Sequence, residues 1–315
     1  MNPVRIPSAV LALAALAFAP SLAAAPKIGV LLKGRGGFWT PVEKGALEAG
    51  RKLGADVVVK APINENDVAI QIRLLEALGA QGIQALVIAP TNTQTLAAPV
   101  AALAARGVKI VIIDSPLGGA PVGPFVGTDQ VAAGEAAGRL LAALVGEHEE
   151  VSVLKHTQNS VAAQQRETGA LSALRSAHPH LIVHSDIYAS SEAGAEGERA
   201  ALLLEKYPST RAILASGTPG TMAMLKLLEE RKAGGPIRFV GFGFDLNADV
   251  ATALADGTMQ GWVAQLPSDV GYKGVATALA LLNGEKVEPN VATDFIAVTR
   301  ANLHEPRIEA LLAGN

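Results

Sequence analysis

The 315 residues include no cysteine. Disulfides, thiolate metal sites, cysteine nucleophiles and the acylated cysteine of a bacterial lipoprotein are therefore excluded together. Aromatics are scarce, at 4% of the chain, and only 17% of residues are charged. An excess of either charge is also missing: 26 Lys and Arg face 29 Asp and Glu, for a formal net charge of -3. That leaves no basic face for nucleic acid and no polybasic membrane anchor. Beyond the opening segment, no apolar run is long enough to span a bilayer. Half of the residues are hydrophobic, which places the chain among globular proteins and not among disordered ones.

The opening segment has its own pattern. Arg5 supplies a positive start, Val10 to Phe18 is an apolar stretch of mostly Ala and Leu, and Ser21-Leu22-Ala23-Ala24-Ala25 offers small-residue cleavage sites. This reads as a secretory signal peptide, too short and too weakly flanked to be a membrane span. Cleavage is expected after Ala23 or Ala25, leaving about 290 residues, enough for two domains with buried cores. The expected mature product is soluble and periplasmic.

Strand and helix patterns then alternate. Apolar runs at Ile28–Leu32, Val57–Lys60, Ala85–Ile88 and Ile110–Ile113 are separated by helical spacing over Pro41–Leu53, Val68–Leu78 and Leu96–Ala105. A second series follows Phe125–Asp129. Its helices are expected at Ala132–Leu144, Ala163–Arg175, Ala195–Glu205, Thr221–Glu230, Asp249–Ala255 and Val270–Leu282. Its strands are expected at Val151–Leu154, Ile182–Ile187, Ala212–Ala215, Ile237–Gly241, Gln260–Val263 and Phe295–Val298. Continuous Val/Ile/Leu runs suit parallel sheets covered by helices on both faces. No linker-like stretch separates the halves, so the pattern predicts two similar α/β lobes joined by several chain crossings.

In open α/β sheets, ligands bind beyond the carboxyl ends of the strands. The residues there are Lys33-Gly34-Arg35-Gly36-Gly37-Phe38-Trp39, Asp114-Ser115-Pro116, His156 with Asn159 and Arg166, Ser216-Gly217-Thr218-Pro219-Gly220, Phe242-Gly243-Phe244-Asp245, and Gln265. Two aromatics, two acids, an arginine and a glutamine make a polar cleft with flat faces. Sugars fit such a cleft: the rings meet C–H faces and the polar groups pair with hydroxyls. Taken singly, Phe38 and Trp39 could equally be core, and Asp114 and Asp245 helix caps.

The ordered motifs resemble the type I periplasmic sugar-binding proteins of ABC importers, in the ribose-binding branch. Gly36-Gly37-Phe38-Trp39 with Glu43-Lys44-Gly45-Ala46 is similar to the family's opening pattern. Gln71-Ile72, Ala89-Pro90-Thr91-Asn92, Val111-Ile112-Ile113-Asp114, Val126-Gly127-Thr128-Asp129, Gln165-Arg166-Glu167, Gly243-Phe244-Asp245, Ala264-Gln265 with Pro267, and Gly271 with Gly274 follow in order. The resemblance implies two doubly wound Rossmann-like lobes joined by a three-segment hinge near Thr128–Val131, Leu266–Pro267 and Thr293–Asp294. The lobes would be 26–129 with 267–293, and 130–266 with 294–315.

The resemblance also implies ligand contacts from Phe38, Trp39, Asp114, Arg166, Asp245 and Gln265, with Ser115 and Gly217 at neighbouring contact positions. It implies a monomer that delivers its ligand to an inner-membrane permease, with no catalytic residue, metal or cofactor. Three positions depart from the family pattern: Gly36 replaces an Asn, Ser115 an Arg, and Gly217-Thr218 an Asn-Asp. Thr218 before Pro219 reads as an N-cap, and its helix start leaves two ligand classes open: a plain sugar, or a phosphorylated or acidic derivative.

Other signals carry less. Gly34-x-Gly36-Gly37 lacks the third glycine of a dinucleotide fingerprint, Thr40 standing in its place. His178-Pro179-His180, with His184 nearby, has no fitting carboxylate spacing for a metal and reads as a solvated turn. The rival functions are a repressor-like regulator, which would need a DNA-binding head where this chain has a leader, a sensor partner of a chemoreceptor or histidine kinase, and an exported sugar-acting enzyme.

Overall fold

Strands and helices alternate from Lys27 to Leu312 in the computed structural model, which describes residues 24–65, 67–158, 160–189, 194–231, 237–244 and 247–312. The expected signal peptide lies almost wholly outside the described residues, as does Asp245. The first series is β1 (Lys27–Leu31), α1 (Trp39–Leu53), β2 (Asp56–Lys60), α2 (Val68–Ala80), β3 (Ala85–Ile88), α3 (Ala97–Ala105), β4 (Lys109–Ile113) and β5 (Phe125–Thr128). The second is α4 (Gln130–Ala142), β6 (Glu150–Lys155), α5 (Val161–Ala177), β7 (Ile182–Tyr188), α6 (Glu196–Lys206), β8 (Ala212–Ala215), α7 (Thr218–Glu230), β9 (Arg238–Phe244), α8 (Ala248–Asp256) and β10 (Gly261–Gln265). The chain ends through α9 (Pro267–Leu282), β11 (Asn290–Thr293), β12 (Phe295–Val298) and α10 (Pro306–Leu312).

Two six-stranded sheets result, ordered β11-β5-β4-β3-β1-β2 and β12-β10-β9-β8-β6-β7. Among the described residues every pairing is parallel except that of β10 with β12. The reason is local. Only Asp294 separates β11 from β12, too little for a crossover, so the chain enters the second sheet running the other way. Each sheet carries apolar clusters on both faces, with Val30, Val87 and Ile113 on one side of the first sheet and Leu31, Leu86 and Ile112 on the other. This double burial is why the strands read as unbroken Val/Ile/Leu runs.

Four of the helices start where the sequence supplies a side-chain cap. Asp67, Asp129, Ser160 and Asn247 accept hydrogen bonds from the backbone N–H groups of Ile70, Ala132, Ala163 and Val250. Gly54 ends α1 in the left-handed conformation at φ 77°. Both lobes use glycine to press one helix pair together. A Cβ on Gly45 or Gly271 would fall 1.9 Å from a carbonyl oxygen across the α1–α9 contact, and one on Gly134 would meet the Arg166 carbonyl at 1.9 Å across α4–α5.

Strand order positions the site. In the first sheet β1 leads outward to β2 while the chain returns on the other side at β3; in the second, β6 and β8 stand in the same relation. Loops on either side of such a reversal diverge and leave a crevice at the carboxyl edge.

Candidate functional site

The two carboxyl edges face each other across a cleft of about 600 Å³, lined by residues of both sheets. Six of the eight residues singled out in the sequence line it: Phe38, Trp39, Asp114, Arg166, Gly217 and Gln265. Ser115 sits beside the cleft, against Asp114.

On the first lobe's wall, Trp39 opens α1 and is only 4% exposed, so it serves both as core and as a cleft edge. Its indole N–H donates to Glu65 Oε1 at 2.6 Å. Phe38 meets Trp39 edge-on at 5.1 Å between ring centroids, and meets Phe244, the last residue of β9 on the opposite wall, at 5.6 Å. Asp114 follows β4 with φ 64°, among the described residues the one non-glycine residue at positive φ. That conformation costs about 1–2 kcal/mol for an L-residue, least for Asp and Asn. Its carboxylate receives the Lys33 ammonium at 2.6 Å and the Ser115 hydroxyl at 2.9 Å. Lys33 also donates to the Ser115 Oγ. Asp114 is thus already paired before a ligand arrives and is no helix cap.

The second lobe's wall is more deeply buried. Arg166 Nε donates to Gln130 Oε1 at 3.0 Å, and an Nη group donates to the Ser216 carbonyl. The guanidinium carbon lies over Phe242, 3.8 Å from the ring centroid. Burial pushes its pKa down to about 10, opposed by the charges of Glu167 and Asp114, so it stays cationic at neutral pH. Gln130 Nε2 donates in turn to Gln265 Oε1 at 2.7 Å. Glu167 Oε1 accepts from the His156 backbone N–H and from the Ser216 hydroxyl, and its Oε2 pairs with Lys155 at 3.3 Å. His156 packs so closely on Gly217 that a Cβ there would come within 2.8 Å of the ring. Burial, then the Arg166 charge, lowers the imidazole pKa to about 4, and its buried Nδ1 has no hydrogen-bond partner among the described residues. At pH 7 it is a neutral imidazole.

The helix start expected at Thr218 differs. Gly217 occupies the cap position of α7 and makes no side-chain cap bond. Thr218 Oγ1 instead accepts from the Phe244 N–H at 3.3 Å, because Thr218 and Pro219 already lie inside the first turn. His178 closes α5 and its Nε2 lies 3.0 Å from the Ala142 carbonyl. Among the described residues no group of three or more His, Asp or Glu is placed to hold a metal.

Several cleft residues escaped the sequence reading. Glu65 and Glu196 follow β2 and β7, so the same strand-end rule points to them. Lys33 and Phe244, both in strand-end motifs, line the cleft as well. Gln130 sits behind the wall, and nothing local in the sequence marks it.

Residues 28–286 match the family described as periplasmic binding protein domain. This chain belongs to that family. Its members bind solutes and do not transform them, so this periplasmic binding protein is not an enzyme. Among solved structures it resembles a carbohydrate transporter solute-binding protein from Agrobacterium radiobacter in complex with D-arabinose, at 32% identity and a TM-score of 0.81. The match covers 92% of this chain and 99% of that one. The ribose import binding protein of Escherichia coli is 27% identical over 267 residues, 84% of this chain and 86% of that protein. The D-allose-binding periplasmic protein of the same organism is 27% identical over 292 residues, 88% and 91% of the two chains. No described helix is long and apolar enough to cross a membrane.

Proposed function

We propose that this periplasmic binding protein captures a sugar, or a close polar relative of one, for an ABC importer. The observation that carries the reading is the cleft itself, whose roughly 600 Å³ falls within the usual range for small-molecule sites. Aromatic edges from Phe38, Trp39 and Phe244 suit the C–H face of a sugar ring, and Asp114, Lys33, Arg166 and Gln265 offer acceptors and donors to its hydroxyls. Asp245 is proposed as a further acceptor, and Ser115 and Gly217 shape the neighbouring wall. Residues 1–25 act as the cleaved export signal, and the mature monomer delivers its ligand to an inner-membrane permease. The crossings near 128–131, 266–267 and 293–294 form the hinge between lobes 26–129 with 267–293 and 130–266 with 294–315. Closure about that hinge excludes water and strengthens the polar contacts.

Isothermal titration with D-ribose, D-allose, D-arabinose and D-fucose tests the reading. At least one should bind to wild type and lose most of its affinity in Asp245→Ala. Absence of binding by all four, or unchanged binding by the variant, refutes the ligand class or the pocket respectively.

A further inference from the structure

Gln130 lies outside the cleft lining, yet it touches two residues that line it. It is the first residue of α4, directly after the crossing from β5, and is 6% exposed. Gln265 ends β10, directly before the crossing to α9, and Arg166 lies in α5; each is 7% exposed. One buried amide therefore ties together two of the three crossings and the arginine of the ligand wall.

We infer that Gln130 is a positioning residue that sets the polarity of Gln265, and through it the kind of atom a bound sugar must present there. The inference rests on the sugar-binding reading above for its consequence, but not for its geometry. A guanidinium can only donate. The Gln130 atom 3.0 Å from Arg166 Nε must therefore be the carbonyl oxygen, which turns its NH₂ toward Gln265. The Gln265 atom receiving that NH₂ at 2.7 Å must again be oxygen. Gln265 is left with its own NH₂ for the cleft. Reversing either amide would set donor against donor in a water-poor site, and an unmet buried polar group of this kind shifts an equilibrium roughly tenfold to a hundredfold. The cleft therefore demands a lone pair opposite the Gln265 NH₂, and rejects a ligand offering only a donor or a C–H group at that atom. The arginine makes the choice from two residues away.

Two measurements test this. In the unliganded ¹⁵N-labelled protein, the Gln130 side-chain NH₂ should exchange with solvent more slowly than that of Gln265. Equal or reversed rates overturn the relay, and this arm needs neither a ligand nor a variant.

The second arm uses Gln130→Glu, which still accepts from Arg166 but has no proton for Gln265, so the Gln265 amide must turn over. Titrated with whichever of D-ribose, D-allose and D-arabinose binds wild type, the variant should bind roughly tenfold or more weakly. Introduced into Gln265→Ala, the same change should add almost nothing, because the group it acts through is gone. Additive losses, or an unaltered Kd in the single variant, overturn the inference. If wild type binds none of the three sugars, nor D-fucose, the sugar reading fails and the exchange order alone decides the relay.

Discussion

The two walls of the cleft are built differently. The first lobe offers Lys33 and Asp114, which pair with each other, and Glu65, which accepts from the Trp39 indole; all three lie on loops and keep some exposure. The second offers Arg166, Gln130, Gln265, Ser216 and Glu167, buried groups whose hydrogen bonds dictate one another's orientation. Adaptable charges can change partner as a ligand enters, because their pairs are partly wet and cheap to exchange. A buried network cannot, since each unmet group costs about 1–3 kcal/mol. One wall accommodates; the other discriminates.

The largest expected break in this contrast is Arg166→Met. It strands the Gln130 oxygen and the Ser216 carbonyl in the buried wall, so thermal or urea unfolding should show a loss of about 3 kcal/mol, and sugar titration at least a hundredfold loss of affinity. A loss below about 1 kcal/mol would mean the second wall is no more committed than the first.

The next effect is a pH dependence carried by His156. Its folded-state pKa of about 4 lies below the ordinary value of 6.5, so the unfolded chain takes up a proton first as the solution acidifies. Stability should be full above about pH 6.5, fall on the order of 3 kcal/mol as pH drops toward 4, and level off below that. His156→Gln should flatten this limb in a series of denaturant melts against pH. An unchanged acid limb would place the cause elsewhere.

The smallest effect belongs to the first wall. Trp39→Phe removes the indole N–H that meets Glu65, an acid on a solvent-exposed loop able to find water instead. It should cost about 1 kcal/mol in unfolding. A loss as large as that of Arg166→Met would erase the distinction between the walls.

Much of this could be read before folding. Period and composition located most elements, since both sheets are buried on two faces and write continuous apolar runs into the chain. The strands at Phe125–Thr128 and Asn290–Thr293 and the helix at Pro306–Leu312 went unread: the Asn290 strand is a largely exposed edge with no apolar run, and the last helix has a single fully buried residue. Strand β9 runs on to Phe244, beyond its expected end at Gly241. Gly243 makes room for the Trp262 ring, which a Cβ would meet at 2.4 Å. Phe38, Asp114 and Gln265 were legible because they stand at or just beyond strand ends. Gln130 was not, because its role exists only where Arg166 and Gln265 converge from 36 and 135 residues away.

The sequence by itself determined the alternation of strand and helix, the side-chain caps of four helices, and which residues stand at strand ends. Those depend on neighbours in the chain, through side-chain period and local hydrogen bonds. Only the tertiary structure decided that Lys33 would neutralise Asp114, that Phe244 would meet Phe38 across the cleft, and that a buried glutamine would orient another. Such pairings are set by which strand lies beside which, and polarity in a dry interior is settled by the partners that packing supplies.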